Sequence, residues 1–498
     1  MNYLYKSYIT INTELGKVKG IHDKLNNKDI FTFYQIPYAL PPVKSLRWKY
    51  PILWKQKYNK IYDATVYSKI PNQHLYFYYK YYNNFCYKYF IKKIKYTQTE
   101  DCLYLDIYTP TVERINIPVV VCIYGGHYQY GYSRNIRINK EYLNNVLYIT
   151  LNYRLGIFGF FQHPELKKEN TFGNYGISDI ICALNWIKNN IQSYGGDPNN
   201  ITVEGQGSGA NIILYLMCNQ QCINNHLFHK AILHSCSQLY NLKSKINDSI
   251  ELSDILVGQG RNQLLRLRNL DENIINQLYN NIKDIDKLLF ANIDGFIIKN
   301  NPIFLFKNGK QMKIPIIIGY NYDDGKMLFN SGFNKLFIHP INNIKYNKID
   351  IKNLNQIYKN INNNKIFSIK RYFTDFMFLH FNKLIAQYHT NYANTYFYIL
   401  KHINITNMDI YCCFELDLLY FFNNNNSYNI NVNNELKIKI LKYINTFIIS
   451  GTPNDIKNKL ILWKEFENGL SLYFNNEIYM NFFTEYQSIE IMNKNYNL

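Results

Sequence analysis

The chain predicts an α/β fold: a large, mostly parallel central sheet with helices on both faces. Two patterns carry this. Short apolar, β-branched runs recur at Val119–Tyr124, Val146–Leu151, Ile201–Glu204, Ala231–Leu233, Ile314–Ile318 and Thr395–Leu400, each ended by turn residues. Strands buried on both faces read this way. Between the runs lie helical periods. The clearest is Asp179–Tyr194, where Ile180, Ala183, Leu184, Ile187 and Ile191 share one face before Gly195, Gly196 and Pro198 stop it. Alternation of the two periods is what crossover helices between parallel strands produce. At the start, Thr10 to Lys19 alternates like a further strand.

The composition fits a folded core. Of 498 residues, 47% are hydrophobic and 18% charged, which excludes global disorder and a small stapled scaffold. No Pro/Ser/Gly linker and no internal repeat divides the chain. We therefore expect one domain over residues 1–498, with its core over about 5–475 and a C-terminal helix over 476–498. Nine cysteines, an odd number, exclude a complete disulfide framework. Nothing approaches the roughly 20 uncharged apolar residues of a membrane-spanning helix, and Met1 to Tyr8 has no signal-peptide core, so a cytoplasmic or intracellular protein is expected.

Lys+Arg 55 against Asp+Glu 36 gives +19, a field that attracts polyanions or acidic surfaces. No nucleic-acid-binding module is present, so no specific nucleic-acid partner is expected. The stretch from Leu75 to Tyr96 interleaves aromatic and basic side chains as single-stranded nucleic-acid sites do, but the same Tyr-rich bias runs through the whole sequence, so it assigns no such site. Neither Cys412 with Cys413 nor Cys218 with Cys222 has a second ligand pair at zinc spacing. No metal or cofactor is expected.

Chemistry is expected at Ile201-Thr-Val-Glu-Gly205-Gln-Gly207-Ser208-Gly209-Ala210. This reads as a strand, a tight glycine turn and a helix carrying Ile212, Ile213, Leu216 and Met217, the arrangement in which a nucleophile elbow is built. With Phe33-Tyr-Gln-Ile-Pro-Tyr-Ala-Leu-Pro-Pro42, Glu100-Asp-Cys-Leu-Tyr-Leu-Asp-Ile-Tyr108, Asn152-Tyr-Arg-Leu-Gly156, Gly173-Asn-Tyr-Gly176, Gly195-Gly-Asp-Pro198 and Gly451-Thr-Pro-Asn454 in order, the chain resembles the type-B carboxylesterase and cholinesterase family of α/β-hydrolases.

That resemblance implies where each catalytic role falls. The elbow G-E-S-A-G aligns with Gly205-Gln-Gly-Ser-Gly209 and puts Gly207 at the nucleophile position. The acid of G-x-N-x-D-E-G falls on Asp324, within Gly319-Tyr-Asn-Tyr-Asp-Asp-Gly325, and the base position falls on Cys412. The oxyanion loop, an aromatic or His followed by three glycines, matches Tyr124-Gly-Gly-His-Tyr128, so Gly126, His127 and Ser208 stand where its donors belong. By the same resemblance the Leu75 to Tyr96 stretch is a lid packed on the pocket mouth, and the family's customary bridge from Cys102 is not expected, because Ile70 stands near its partner position and the nearest upstream thiol is Cys86.

Acyl transfer needs an activatable oxygen or sulfur, a base within reach and a group that orients the base. Glycine has no such atom, so the expectation is a degenerate triad (Gly207, Asp324, Cys412) and a non-catalytic binding or interaction protein. Its ligand, protein or small molecule, is unnamed by the sequence. Two other readings stand beside it: an active ester hydrolase with Ser208 as relocated nucleophile, and a basic polyanion- or membrane-surface binder. Family members with a dead elbow, such as the cholinesterase-like adhesion proteins, pair through helices near the C-terminus. By that similarity, a homodimer through Tyr372–Tyr388 and Met480–Met492 is also expected.

Overall fold

The computed structural model describes residues 7–482 apart from 26–27, 75–95, 114–115, 137, 139–144, 238–241, 243, 283–288, 326–370, 372–373, 402–419, 421–432 and 476. The described residues form two compact units. The first takes the chain up to His74, from Tyr96 to Ala231 and from Leu242 to Leu305; the second takes Ile232 to Ser237 and the chain from Phe306 onward. Their segments interleave along the chain, so no linker stretch marks a boundary in the sequence.

In the first unit the longer strands are β1 (Ser7–Thr13), β2 (Gly16–Leu25), β3 (Lys28–Pro37), β4 (Tyr104–Thr109), β5 (Ile117–Ile123), β6 (Leu147–Leu151) and β7 (Gly196–Gln206). They are ordered β1-β2-β3-β4-β6-β5-β7. The first four joints are antiparallel. The last two, β6–β5 and β5–β7, are parallel, with Val121 opposite both Ile149 and Val203. Val119, Val121, Ile149, Ile201 and Val203 are fully buried, as the continuous apolar runs require. In the second unit, β8 (Lys230–His234, from Ile232 on), β9 (Ile316–Asn321), β10 (Thr395–Leu400), β11 (Leu470–Phe474) and β12 (Ile478–Phe482) follow in that order. β9–β10 and β10–β11 are parallel, and β12 closes antiparallel on β11.

Helix α1 spans Tyr175–Asn190, starting four residues before the predicted Asp179, and a 3-10 turn continues it over Ile191–Tyr194. The early start comes from tertiary packing. A Cβ on Gly176 would stand 2.3 Å from the Arg154 carbonyl oxygen, so the first turn lies directly on that backbone. Asn174 meanwhile donates its amide to Asn292 O at 2.7 Å and Asp294 Oδ2 at 2.8 Å. Gly195, at φ 92°, stops the helix where the sequence places the stop.

The expected C-terminal helix over 476–498 is a strand where it is described: Ile478–Phe482 is β12, paired with β11 as Leu472 opposite Met480. An Ile-Tyr-Met-Asn-Phe run favours the pleated edge over a helix; residues 483–498 lie outside the described residues. Of the other expected pairing helix, Tyr372 also lies outside them. Phe373 does too, and from Asp375 the segment is a π turn over Asp375–Leu379 leading into α3 (His380–His389), which buries Phe381, Leu384, Ile385 and Ala386 and leaves Gln387 exposed.

Two buried ion pairs tie distant segments of the first unit. Arg154 grips Asp179 through Nε–Oδ2 at 2.8 Å and Nη2–Oδ1 at 2.6 Å, both residues nearly inaccessible. Arg47 holds Glu100 through Nε–Oε1 at 2.7 Å and gives Nη1 to the carbonyls of Leu267 and Leu270 at 2.8 and 2.9 Å. Removing one partner strands a buried charge. Asp179→Ala is therefore expected to destabilise by about 3–5 kcal/mol in urea unfolding. Asp29→Ala, which breaks the half-exposed contact to His22 at 2.7 Å, is expected to cost under about 1 kcal/mol. Equal losses in the two variants would refute this account of the core.

Candidate functional site

β7 ends at Gln206, and helix α2 (Ser208–Met217) begins immediately after Gly207. Gly207 is the N-cap, at φ 58° and ψ −119°, and no side chain caps the helix. These dihedrals are those of the first central residue of a II′ turn, a place dominated by glycine. Asn211 N–H closes the first helical turn onto Gly207 O at 3.0 Å. The N–H groups of Ser208, Gly209 and Ala210 therefore have no intrahelical acceptor. Ile212, Ile213, Leu216 and Met217 are all buried, as their spacing predicts.

Backbone contact fixes the crossing of β7 and α2. A Cβ on Gly205 would stand 2.7 Å from Gly209 C, and one on Gly209 would stand 2.2 Å from Ile123 O and 2.9 Å from Tyr124 O. Helix α2 thus begins directly against the end of β5. That strand leads into the expected oxyanion loop, where a Cβ on Gly125 would lie 2.6 Å from Gln206 O and 2.9 Å from its Oε1. Gly126, His127 and Ser208, expected as donors, thus belong to two turns that the fold brings together.

The loop is a tight turn. Gly126 O accepts from Gln129 N at 2.9 Å and Tyr130 N at 3.2 Å, and Tyr128 O accepts from Gly156 N at 2.8 Å. His127 and Tyr128 are consecutive non-glycine residues at φ 53° and 62°. The turn is anchored from outside through Gln129. Its Oε1 accepts from Tyr279 Oη at 2.9 Å, its Nε2 donates to Leu289 O at 2.5 Å, and its carbonyl accepts from His74 N at 2.8 Å. Gln129 carries no motif signal, because its partners are remote in sequence.

The polar groups around the apex are strongly desolvated. His127 is buried, and burial pushes its imidazole down to about 3, so the ring is neutral at physiological pH. Ser208 Oγ and Gln206 Nε2 are buried and make no hydrogen bond among the described residues. The sequence gives Gln206 no role of its own; its one signal is an amide where the family elbow has Glu.

Asp324 lies in the second unit, just after β9. It is fully buried and folded onto its own turn, accepting from Asn321 N at 2.9 Å and Asn321 Nδ2 at 3.0 Å. Cys412, Cys413, Cys86 and the 75–95 stretch of the expected lid lie outside the described residues. Cys102, Cys122, Cys182, Cys218, Cys222 and Cys236 are free thiols. Among the described residues there is no His/Cys/Asp/Glu cluster able to hold a metal, and no helix is long and apolar enough to cross a membrane.

A strand, a glycine-bound apex and a helix N-terminus facing a glycine-rich loop, set in a large mixed sheet with helices on both faces, define an α/β-hydrolase. The chain belongs to the carboxylesterase family, whose profile matches residues 7–494. It is 30% identical to the fumonisin B1 esterase of Sphingopyxis macrogoltabida over 63% of this chain and 56% of that one. Mouse (Mus musculus) cholinesterase is 30% identical over 63% of this chain and 53% of its own. The para-nitrobenzyl esterase of Bacillus subtilis is 29% identical over 64% and 63%. The chain thus aligns with between 53 and 63% of the length of these relatives. A solved structure of PNB esterase superposes with a TM-score of 0.77 over 97% of this chain and 99% of that one at 23% identity, which establishes the fold.

Two outcomes follow from this geometry. Gly207→Ala, which forces a side chain into φ 58°, is expected to lower stability by about 1–3 kcal/mol in urea unfolding. Gly209→Ala, whose Cβ would stand 2.2 Å from Ile123 O, is expected to prevent folding. An unchanged midpoint for Gly207→Ala would contradict the dihedrals.

The second concerns acid. An unfolded histidine titrates near 6.5, so as pH falls from there toward 3 the unfolded chain takes up a proton that folded His127 refuses. The stability contributed by the neutral ring is complete above about 6.5 and is lost on acidification. His127→Gly is therefore expected to flatten the stability–pH slope between pH 6 and 4 by up to about 1.4 kcal/mol per pH unit. Parallel slopes in wild type and variant would refute the assignment.

Proposed function

We propose that this chain is a carboxylesterase-family pseudo-hydrolase, a binding or interaction protein that holds a ligand in the family's site without turning it over. The observation that carries the reading is Gly207 at φ 58° and ψ −119°, occupying the apex with no oxygen or sulfur to acylate. Catalysis left after loss of a triad comes from the oxyanion hole and binding alone, about 10³ to 10⁴ over water. Here His127 also alters that remnant. The base position at Cys412, inferred from the family motif, supports the same conclusion.

An active ester hydrolase using Ser208 is the second reading, favoured by the unpartnered Ser208 Oγ. The His127 imidazole would make a poor base for it, because burial takes that ring to about 3, far from the operating pH that general-base catalysis needs. Binding to polyanions or membrane surfaces rests on the +19 alone. A homodimer through 372–388 and 480–492 has little exposed helix to use among the described residues. The free thiols at Cys102, Cys122, Cys182, Cys218, Cys222 and Cys236 favour an intracellular, reducing compartment.

The test is hydrolysis of p-nitrophenyl butyrate by the natural chain beside a Gly207→Ser, Cys412→His, His127→Gly variant. No turnover above the buffer rate is expected from the natural chain, and a gain only in the repaired variant. Turnover by the natural chain that survives Gly207→Val and disappears with Ser208→Ala would transfer the function to Ser208.

A further inference from the structure

We propose that Ser7 is an acyl-acceptor site far from the elbow in sequence, a hydroxyl activated by His22 and Asp29 that takes one acyl group from a thioester.

Strand register builds the site. Ser7 on β1 lies opposite His22 on β2, and His22 lies opposite Phe31 on β3, so the three side chains share one face of the sheet. Asp29, two residues before Phe31 on the same strand, stands on that face too. His22 Nε2 meets Asp29 Oδ1 at 2.7 Å, and His22 Nδ1 meets Ser7 Oγ at 3.2 Å. The hydroxyl also lies 3.2 Å from the His22 carbonyl oxygen, so its proton is shared between two acceptors. The imidazole stacks on Phe31, ring centroids 4.7 Å apart at 18°, which fixes its plane.

The carboxylate decides the tautomer. Its hydrogen bond from His22 holds the Asp29 carboxyl below the usual carboxylate range, so at neutral pH it is ionised and only accepts. In the neutral ring the proton therefore sits on Nε2, and the lone pair of Nδ1 faces Ser7. Nucleophile, base and orienting carboxylate thus follow one another as in a serine–histidine–aspartate relay, here with Nδ1 as the base.

Exposure sets the reaction class. Ser7 is exposed, and the His22 and Asp29 side chains are 27% and 46% accessible, so an acyl donor reaches the hydroxyl from solvent. A solvated relay accelerates modestly, which selects donors with a good leaving group, a thioester rather than an alkyl ester. Ser7 Oγ bonds to the thioester carbonyl carbon, the C–S bond breaks, and the Oγ proton passes by way of His22 Nδ1 to the departing thiolate. The product is an alkyl ester, whose alkoxide leaves far less readily than a thiolate. The reaction stops at one equivalent.

The test is incubation of the full chain at pH 7.5 with N,S-diacetylcysteamine, a small acetyl thioester, followed by peptide mass spectrometry. Acetylation of Ser7 to one equivalent is expected. His22→Gln, which keeps a hydrogen-bonding side chain and removes the base, is expected to slow it at least about tenfold. Asp29→Ala is expected to slow it about threefold or more, and Asp29→Glu to restore most of the rate, as a positioning carboxylate requires. No ester on Ser7, an unchanged rate in His22→Gln or Asp29→Ala, no restoration by Asp29→Glu, or acetylation of Ser208 in place of Ser7 would overturn the proposal. It stands apart from the reading of the elbow, because one equivalent on Ser7 is not turnover.

Discussion

The close approach of three backbone segments in the first unit, the end of β5, the Gly205–Gly209 turn and Gly125 of the oxyanion loop, sets everything else about the site. With separations as short as 2.2 Å from an added Cβ, side chains are excluded at the crossing itself. Only glycine lets the N-terminus of α2 reach the loop that faces it. The helix N–H groups and the loop therefore meet whatever residue occupies the apex. The architecture is held by Gly125, Gly205 and Gly209, none of which performs chemistry.

This separation lets residues at the apex and in the facing loop depart from the family pattern while the fold is kept. The contacts that fix the crossing are at Gly125, Gly205 and Gly209, so Ser208 and His127 carry side chains without breaking it. Evidence of such freedom lies in the distribution of strain. An esterase elbow places a serine in a conformation costly for any side chain, and a triglycine loop adopts its left-handed turns without cost. Here the apex is glycine at φ 58°, while His127 and Tyr128 take φ 53° and 62° in the loop. The left-handed backbone at the apex is thus carried by glycine, and non-glycine residues carry it in the facing loop.

The parallel core and the elbow were legible because their signals are local. Val119–Tyr124, Ile201–Glu204 and Thr395–Leu400 are apolar runs whose burial on both faces needs no knowledge of partners, and Gly205-x-Gly-x-Gly209 marks its own turn. The antiparallel strands before β5 were less legible beyond the first alternating stretch, since their pairing depends on register rather than on continuous hydrophobicity. The start of α1 was hidden because its first turn is dictated by the Arg154 backbone, 22 residues upstream of Gly176 in the chain. Arg47 with Glu100, 53 residues apart, likewise leaves no local trace. At the C-terminus, Ile478–Phe482 is an edge strand where a helix is expected from the family resemblance, because its Ile-Tyr-Met-Asn-Phe run suits the pleated edge.

Within the site, the sequence reveals which atoms are missing, and the structure shows which atoms replace them. An absent hydroxyl at Gly207 alone would describe a broken enzyme. Gln206 Nε2 and Ser208 Oγ, buried with no partner among the described residues, add polar groups beside that apex at a desolvation cost. Random decay would be as ready to fill the apex with apolar side chains as to surround it with hydrogen-bonding ones. The amide at 206, the hydroxyl at 208 and the neutral imidazole at 127 instead keep the two turns polar around a glycine apex. Polar turns around an apex without a nucleophile accord with the proposed binding role, which takes in all four positions where simple loss of activity takes in one.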